Sequence, residues 1–463
     1  MVNRANDFGS FKDPFGSIYT INDSIYRSVL PAGIADFDAA RHAGVHDRLI
    51  KSGLLIPHEL VDAGDEAPEG TVYSLSHPCL PFVSYPWEWP FSMLKDAAIL
   101  HLDVMEVLIP IGFWLRDASA FNVQYGGNGL ILIDTLSIGK RMPGSPWVAY
   151  GQFCSHFLAP LSMAAYSDIR MMSLWRSYID GFPLDLAIKA LPFHRKYRIG
   201  LLMHLFLHAR FQARAQKQKN LQNHSEGKKP KVSDRGLIGL VRSLRRAVSK
   251  INWNGFSKLW VDYESFRTYR AEDISKKSEF VDGVIHRLQP KMVWDFGANL
   301  GEFSQIAASA GSFVVSIEKE PACTELLYRE IRQKKYRDRI LPLTMDLANP
   351  SPGLGWNGRE RLSLSDRGPA DLILALALIH HLVLSAYVPF EHIARWFSSL
   401  ARYLLVEFIP PTDTMVKKLL ANRDEGHLPY SMESFRESFG KRFDFEDEFH
   451  LKNGRMLFLC RKR

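Results

Sequence analysis

The sequence predicts an α/β fold, with a C-terminal doubly wound sheet over residues 254–463 and an N-terminal domain of mixed α+β structure. In the C-terminal half, short apolar runs typical of buried strands alternate with stretches of helical periodicity. The first run leads into a glycine-bearing turn and the second ends in an acid, which is the order of a nucleoside-binding βαβ unit. A chain of 463 residues also exceeds one typical core, so two domains are expected.

The turn after the first strand has residues that suit close approach of a ligand. The strand leads into Asp295, and Gly297, Asn299 and Gly301 follow. Glycine lacks a Cβ atom, so its backbone adopts left-handed dihedrals and lets a ligand come close. Asparagine is the non-glycine residue that best tolerates such a turn. The dinucleotide pattern G-x-G-x-x-G is not met, because Asn299 and Glu302 occupy its second and third glycine positions.

The spacing Asp295-x-Gly297-x-x-x-Gly301 resembles the first motif of class I S-adenosylmethionine (SAM) methyltransferases, E/D-x-G-x-G-x-G. Asn299 replaces the middle glycine of that motif. The resemblance implies a Rossmann-like methyltransferase sheet that binds SAM as its cofactor. The strands of this sheet are expected from residue 293 and over 313–318, 340–346, 371–382 and 403–410, with a closing antiparallel pair at 443–445 and 455–460.

Acids at the ends of the second and third strands complete the predicted cofactor site. Glu318 ends the second strand, where its carboxylate is expected to accept hydrogen bonds from both ribose hydroxyls. Asp346 ends the third strand, and the resemblance implies that this acid contacts the adenine amino group.

Two histidines and one acid are candidates for catalysis. His380 and His381 follow the fourth strand, and Glu407 lies in the fifth. Ligands of such sheets bind outside the carboxyl ends of the strands, so either imidazole is a candidate general base. Glu407 is a candidate for polarising the acceptor. Each residue also has a structural interpretation: one histidine orients a loop, the other packs beside adenine, and the acid bonds to backbone amides.

Other features of the sequence limit the possible cellular location and binding partners of the protein. Four scattered cysteines without C-x-x-C spacing predict reduced thiols, no metal site and a cytoplasmic protein. No signal peptide is evident, and the apolar stretch 94–115 contains three acids, so no transmembrane segment is expected. No Asn-Pro-Pro-Tyr motif follows the fourth strand, which disfavours methylation of nucleic-acid bases.

A basic bridge, residues 211–253, precedes the C-terminal domain. Twelve Lys and Arg against two acids occur within 210–250, whereas the rest of the chain is nearly neutral. The part 212–233 has almost no apolar residues, which predicts a solvated linker. The part 236–253 predicts a basic amphipathic helix whose apolar face packs on the methyltransferase sheet or, alternatively, lies on an anionic membrane. Aromatic residues are not interleaved with the charges, so nucleic acid is not favoured as a partner.

Three polar residues of the N-terminal half, residues 1–210, resemble a kinase active site. In kinases a catalytic Asp is followed five residues later by Asn and, after a hairpin, by a metal-binding Asp. Asp117, Asn122 and Asp134 follow this order, with Asp134 one residue short of the usual spacing. No glycine-rich nucleotide loop and no convincing strand lysine precede them. A degenerate kinase-like module, an active phosphotransferase, and simple caps and turns therefore stay open.

The N-terminal half also resembles a bacterial group of two-part methyltransferases. The patterns Leu115-Arg-Asp-Ala-x-x-x-Asn122, Ile-Asp134-Thr-Leu-Ser and Gln152-Phe-Cys-x-His-Phe are similar to rhizobial host-specific nodulation proteins of the NoeA type. The resemblance implies methylation of a small molecule or of a glycan or lipid-linked precursor, with a hydroxyl favoured as acceptor. A phosphotransferase and a non-catalytic regulator that binds SAM are the alternatives.

Overall fold

A computed structural model divides the chain into two compact units. It describes residues 4–62, 64–126, 129–195, 199–207, 231–255, 271–334, 338–421 and 429–463. The N-terminal unit comprises Met1–Asn254 and the separate segment Leu354–Arg361; the C-terminal unit comprises Gly255–Gly353 and Leu362–Arg463. Most of the predicted linker 212–233 lies outside the described residues.

A five-stranded antiparallel sheet forms the first part of the N-terminal unit. The strands are β1 (Arg4–Asn6), β2 (Ile18–Ile21), β3 (Ser24–Val29), β4 (Glu59–Val61) and β5 (Tyr73–His77), in the order β1-β2-β3-β5-β4. Helices α1 (Pro31–His42) and α2 (Val45–Lys51) connect β3 to β4. Helix α1 begins with a proline. The N–H groups of the first helical turn make no intrahelical hydrogen bond, so proline costs none at this position. Val29, Phe37 and Leu75 form the core between this sheet and α1.

The rest of the N-terminal unit is mainly helical. Its long helix α3 (Phe91–Leu108) buries one broad apolar face, and its acids Asp96, Asp103 and Glu106 lie on the opposite, less buried face. Short strands form two antiparallel pairs, β6 (Phe113–Leu115) with β9 (Ile138–Lys140), and β7 (Val123–Gly126) with β8 (Gly129–Leu132). Among the residues that the structure describes, the next α-helices are α4 (Tyr150–Phe153), α5 (Ala159–Tyr166), α6 (Leu184–Ala190) and α7 (Ile199–Leu201). The predicted mixed α+β architecture of this half is confirmed.

The predicted basic amphipathic helix is α8 (Asp234–Ser249), and it belongs to the N-terminal unit. Its apolar residues are buried, and its Arg245 pairs with Asp103 of α3. The prediction that this face packs on the methyltransferase sheet is wrong, because α3 offers it an apolar surface and matching acids. A buried face is likewise not available to lie on a membrane. In the described parts of the chain, every helix is too short or too polar to span a bilayer.

A short segment from the C-terminal half of the sequence completes the N-terminal unit. This segment, Leu354–Arg361, follows the third strand of the second sheet in sequence. The ring of Trp356 stacks on Phe8 with centroids 6.1 Å apart, and Lys12 Nζ lies 3.0 Å from a carboxylate oxygen of the buried Glu360. The structure therefore differs from the predicted domains not only at α8 but also here, where the N-terminal unit is discontinuous in sequence.

The C-terminal unit is built on a seven-stranded sheet. Its strands are β10 (Met292–Phe296), β11 (Phe313–Glu318), β12 (Ile340–Thr344), β13 (Ala370–Ala375), β14 (Ala401–Phe408), β15 (Phe443–His450) and β16 (Met456–Lys462). The order is β12-β11-β10-β13-β14-β16-β15, with the first five strands parallel and the last two antiparallel. The predicted doubly wound α/β sheet and its closing pair are confirmed.

Seven helices accompany this sheet in the described residues. They are α9 (Ala271–Leu288), α10 (Glu302–Ser309), α11 (Pro321–Ile331), α12 (Ile379–Leu384), α13 (Phe390–Leu400), α14 (Thr414–Ala421) and α15 (Met432–Gly440). The parallel strands are nearly continuous apolar runs because both of their faces are covered. Strand order reverses between β10 and β13, and a sheet of this kind binds its ligands at such a switch point.

Candidate functional site at the switch point

The turn that follows β10 is left-handed at three of the predicted positions. Gly297, Asn299 and Gly301 have φ values of 75°, 50° and 77°. Asn299 therefore adopts the left-handed conformation that the sequence predicted for it. A Cβ atom on Gly301 would lie 2.6 Å from a methyl carbon of Leu327, so glycine is needed there for space as well as for conformation.

Glu318 lies at the end of β11 and faces this turn. Its carboxylate accepts hydrogen bonds from the backbone N–H of Asn299 at 3.0 Å and of Glu320 at 2.9 Å. Burial raises the pKa of Glu318, and the backbone N–H donors oppose that rise. The side chain is thus fixed in direction before any ligand arrives.

Asp295 is buried at the end of β10. Its carboxylate accepts a hydrogen bond from Ser304 Oγ at 2.6 Å, and Ser304 Oγ also lies 2.6 Å from Ser316 Oγ. Burial raises the pKa of Asp295 to about 6. The charged form is consequently costly in the protein alone and would be favoured by a cation bound nearby.

Asp346 follows β12 and is partly exposed. Its carboxylate accepts from the backbone N–H of Ala348 at 2.9 Å and lies 2.8 Å from Lys319 Nζ. The N–H contact fixes the loop, and the ion pair with Lys319 is a surface interaction because that lysine is 73% exposed.

A cavity of about 1220 Å³ brings most of these residues together. Of the predicted site residues, Asp295, Gly297, Asn299, Glu318, Asp346, His380 and His381 line it. Pockets for one drug-sized ligand measure about 300–1000 Å³, so this cavity has room for a cofactor and for part of a second ligand. Gly301 and Glu407 are not among its lining residues. Gly301 instead begins helix α10 behind the turn.

The two histidines lie side by side at the start of α12, with ring centroids 4.0 Å apart. Burial lowers the pKa of His380 to about 2, and His381, Arg455 and Lys277 lower it further by their charge. Burial also lowers the pKa of the more exposed His381. Both shifts favour the neutral ring, and His380 is too weak a base to accept a proton near neutrality.

Glu407 is fully buried in an array of charges. One of its oxygens lies 2.7 Å from Lys277 Nζ and the other 3.8 Å from Arg455 Nη1. Arg455 in turn lies 2.9 Å from Asp413. Lys277 and Arg455 line the cavity, whereas Glu407 lies behind them. Glu407 can therefore act on a bound molecule through its two cationic partners, and its catalytic role stays a prediction.

Lys277 and Arg455 are two buried charged residues of the cavity wall that the sequence did not reveal. Lys277 lies on α9, in a helix with an ordinary alternation of charged and apolar residues, and Arg455 precedes β16. Lys277 and its partner Glu407 are 130 positions apart in the sequence. No local pattern signals such a pairing.

The kinase-like trio of the N-terminal unit has structural contacts. Asp134 lies 2.8 Å from Arg27 and accepts from the backbone N–H of Leu136, while Asp117 accepts from the N–H of Ser119. Kinases use a third-strand lysine for the nucleotide phosphates; here Arg27 of β3 is neutralised by Asp13 and Asp134. Across the described residues, no group of three or more His, Cys, Asp or Glu is arranged to hold a metal ion. The phosphotransferase interpretation gains no support from this geometry.

The fold and the cavity define a class, namely a doubly wound α/β domain with a cavity at its switch point, joined to an α+β unit. No protein-family model matches the chain. The chain is 32% identical over 445 residues to the nodulation protein NoeA of Rhizobium meliloti (strain 1021), covering 94% of this chain and 91% of that protein. The chain belongs to the family of this nodulation protein, as the sequence patterns predicted.

Solved structures of two methyltransferases resemble part of the chain. Magnesium protoporphyrin IX methyltransferase (ChlM) from Synechocystis PCC 6803, with bound SAH, is 20% identical, covers 44% of this chain and 95% of its own, and gives a TM-score of 0.31. N-methyltransferase NodS from Bradyrhizobium japonicum WM9, in complex with S-adenosyl-l-homocysteine, is 10% identical, covers 42% and 91%, and gives 0.32. Because these sequence identities and TM-scores are low, the cofactor assignment is based on the residues of this cavity.

Proposed function

We propose that this chain is a SAM-dependent methyltransferase whose cofactor lies in the cavity at the switch point. The observation that carries the proposal is the position of Glu318. Two backbone N–H groups hold its carboxylate on the cavity wall, opposite a turn with three left-handed residues. A fixed carboxylate accepts strong hydrogen bonds from a ribose diol and would repel a 2′-phosphate.

The left-handed turn and the other two acids of the cavity suit the remaining parts of such a cofactor. Gly297 and Asn299 give the backbone the shape that lets the sulfonium end approach β10. Asp295, with its raised pKa, supplies a negative charge that a bound cation stabilises. Asp346 lines the same cavity beyond Glu318 in strand order, where the adenine amino group would donate to it.

The sulfonium supplies an activated methyl group, so the protein must align the acceptor and manage one proton. Between the paired rings, His381 is the better candidate for a proton acceptor. It lines the cavity and is more exposed than His380, whose pKa is too low for that task. His380 then serves as a neutral wall that packs against His381.

The proposed acceptor is a hydroxyl group on a small molecule or on a glycan or lipid-linked precursor. Membership of the family of a nodulation protein supports a role in nodulation. The space in the cavity beyond that needed for one ligand supports a second, organic substrate. We place this chemistry in the cytoplasm, where SAM is made.

Calorimetric titration of the full-length protein with SAM, and separately with Mg-ATP, tests the proposal. We expect SAM to bind with one site per chain and Mg-ATP to give no heat. Binding of Mg-ATP without SAM would overturn the proposal and return attention to Asp117, Asn122 and Asp134. Binding of SAM without turnover on any extract of candidate acceptors would favour the non-catalytic regulator.

A further inference from the structure

The wall of the cavity next to β14 carries two buried cations. Lys277 and Arg455 both line the cavity, and their side chains are only 5% exposed. Their carboxylate partners, Glu407 and Asp413, are not among the lining residues. The wall is therefore a neutral array of charges that turns its positive side toward the cavity.

The effect of this array reaches the neighbouring imidazole. Arg455 and Lys277 both lower the pKa of His380 by their charge, in addition to the larger effect of burial. Lys277 also acts on Asp295, in the direction that favours its carboxylate form. Both cations thus act on groups of the cavity although their own partners neutralise them.

Apolar side chains line the cavity together with the two cations. Phe303, Ile409 and Met415 are among them, and Lys277 Nζ lies 4.8 Å from the centre of the Phe303 ring. In an apolar surrounding, a cation attracts an anionic group much more strongly than it does in water. A planar carboxylate matches both an ammonium and a guanidinium donor.

We propose that Lys277 and Arg455 form a carboxylate subsite at this end of the cavity. The inference deepens the proposed function, because it states what the cavity binds beyond the nucleoside. The carboxylate comes either from the amino-acid part of the cofactor or from the methyl acceptor. Either source places an anion against the same two side chains.

Charge-neutral double variants test the subsite without leaving a buried charge unpaired. Lys277→Met/Glu407→Gln removes one pair and Arg455→Met/Asp413→Asn removes the other. Lys452→Met is the matched control, because it removes a lysine that pairs with the exposed Glu272 and does not line the cavity. Circular dichroism of each variant establishes that it is folded.

Three probes distinguish the two sources by calorimetry. S-adenosylhomocysteine carries the carboxylate, its decarboxylated analogue keeps the amine and the thioether, and benzoate is a minimal acceptor-like carboxylate. If the cofactor supplies the carboxylate, the double variants bind S-adenosylhomocysteine at least about tenfold more weakly than the wild type does. They then bind the decarboxylated analogue with the same affinity as the wild type. If the acceptor supplies it, both nucleosides bind unchanged, and benzoate binds the wild-type S-adenosylhomocysteine complex but not the variant complexes.

Equal binding of all three probes by the wild type and the double variants would overturn the subsite. Failure of the proposed function gives a different result, since the wild type would then bind neither nucleoside. In that event benzoate is titrated into the free protein. Binding that the double variants lose would still support the subsite, and absence of binding would overturn it.

Discussion

Two acids at the ends of apolar strands have opposite surroundings in the two units. Asp134 follows β8 in the N-terminal unit, and its carboxylate is paired with the buried Arg27 and caps Leu136. Glu318 ends β11 in the C-terminal unit, where two backbone N–H groups hold it on a cavity wall. The role of such an acid therefore depends on the group that it contacts. A paired cation neutralises the carboxylate, whereas backbone N–H groups orient the carboxylate toward a ligand.

The sharpest way to break this comparison is to remove each acid in turn. Glu318→Ala should weaken SAM binding about a hundredfold or more, because two charge-assisted hydrogen bonds to the ribose are lost. The fold should stay intact. Asp134→Ala should leave SAM affinity unchanged and destabilise the protein by roughly 1–3 kcal/mol, because Arg27 loses a buried partner.

Calorimetry measures both affinities, and Glu318→Gln should fall between the wild type and the alanine variant. Unchanged affinity in Glu318→Ala would remove the cofactor site from β11. A loss of affinity in Asp134→Ala would mean that the N-terminal acid takes part in binding after all.

A pair of glycines extends the comparison to the backbone. Gly301 and Gly44 both begin helices in the left-handed region, with φ of 77° and 64°. Gly44→Ala should cost about 1 kcal/mol, because nothing lies within 4 Å of its added Cβ atom. Gly301→Ala should cost roughly 2–4 kcal/mol, since its Cβ atom would also meet Leu327.

Thermal unfolding followed at each unit's own transition measures these costs. Equal losses for the two variants would show that Leu327 moves aside without penalty and that the turn tolerates a side chain.

Stability should depend on pH through Asp295. Its pKa is raised from 3.8 to about 6, so the folded state binds more protons than the unfolded state between these values. Asp295 should therefore contribute a loss of ~3 kcal/mol to the stability of the C-terminal unit as pH rises from about 4 to about 6, whereas the lowered pKa of His380 contributes a gain over the same range. Hydrogen exchange of the β10 amides reports this unit alone. The difference in stability between the wild type and Asp295→Asn isolates this contribution, and a difference that does not change with pH would assign the pH dependence to other groups.

The last pair of variants compares Asp346, the proposed contact of adenine, with Lys319, its partner in a surface ion pair. Lys319→Ala should change SAM affinity less than about threefold, because the ion pair of this exposed lysine with Asp346 is worth little. Asp346→Ala should weaken binding about tenfold through loss of the adenine contact. If the lysine variant had the larger effect, Lys319 and not Asp346 would be the nucleoside contact.

The site was predictable where chemistry follows local order. Apolar strands that end in Asp295, Glu318 and Asp346 converge because the carboxyl ends of parallel strands meet at one edge of a sheet. The left-handed turn was predictable from its two glycines and from Asn299, whose backbone preferences are properties of single residues.

The partner of the amphipathic helix was not predictable in the same way. Its pattern gives the buried face of α8 but not the surface that covers it, and two such surfaces were available. The acids of α3 that pair with Arg245 lie more than a hundred residues away in sequence. The docking of Leu354–Arg361 into the N-terminal unit depends in the same way on Lys12 and Phe8, which are still more distant.

Local sequence was enough to predict the doubly wound sheet, its glycine turn and the acids that suit a SAM cofactor, because each follows from dihedral preferences and from periodicity over a few residues. Tertiary packing sets which charges remain available to a ligand. It paired Asp134 with Arg27, left Glu318 to backbone amides, and turned Lys277 and Arg455 toward the cavity with their acids behind them. Such pairings depend on distances between remote residues, and only the folded chain sets those distances.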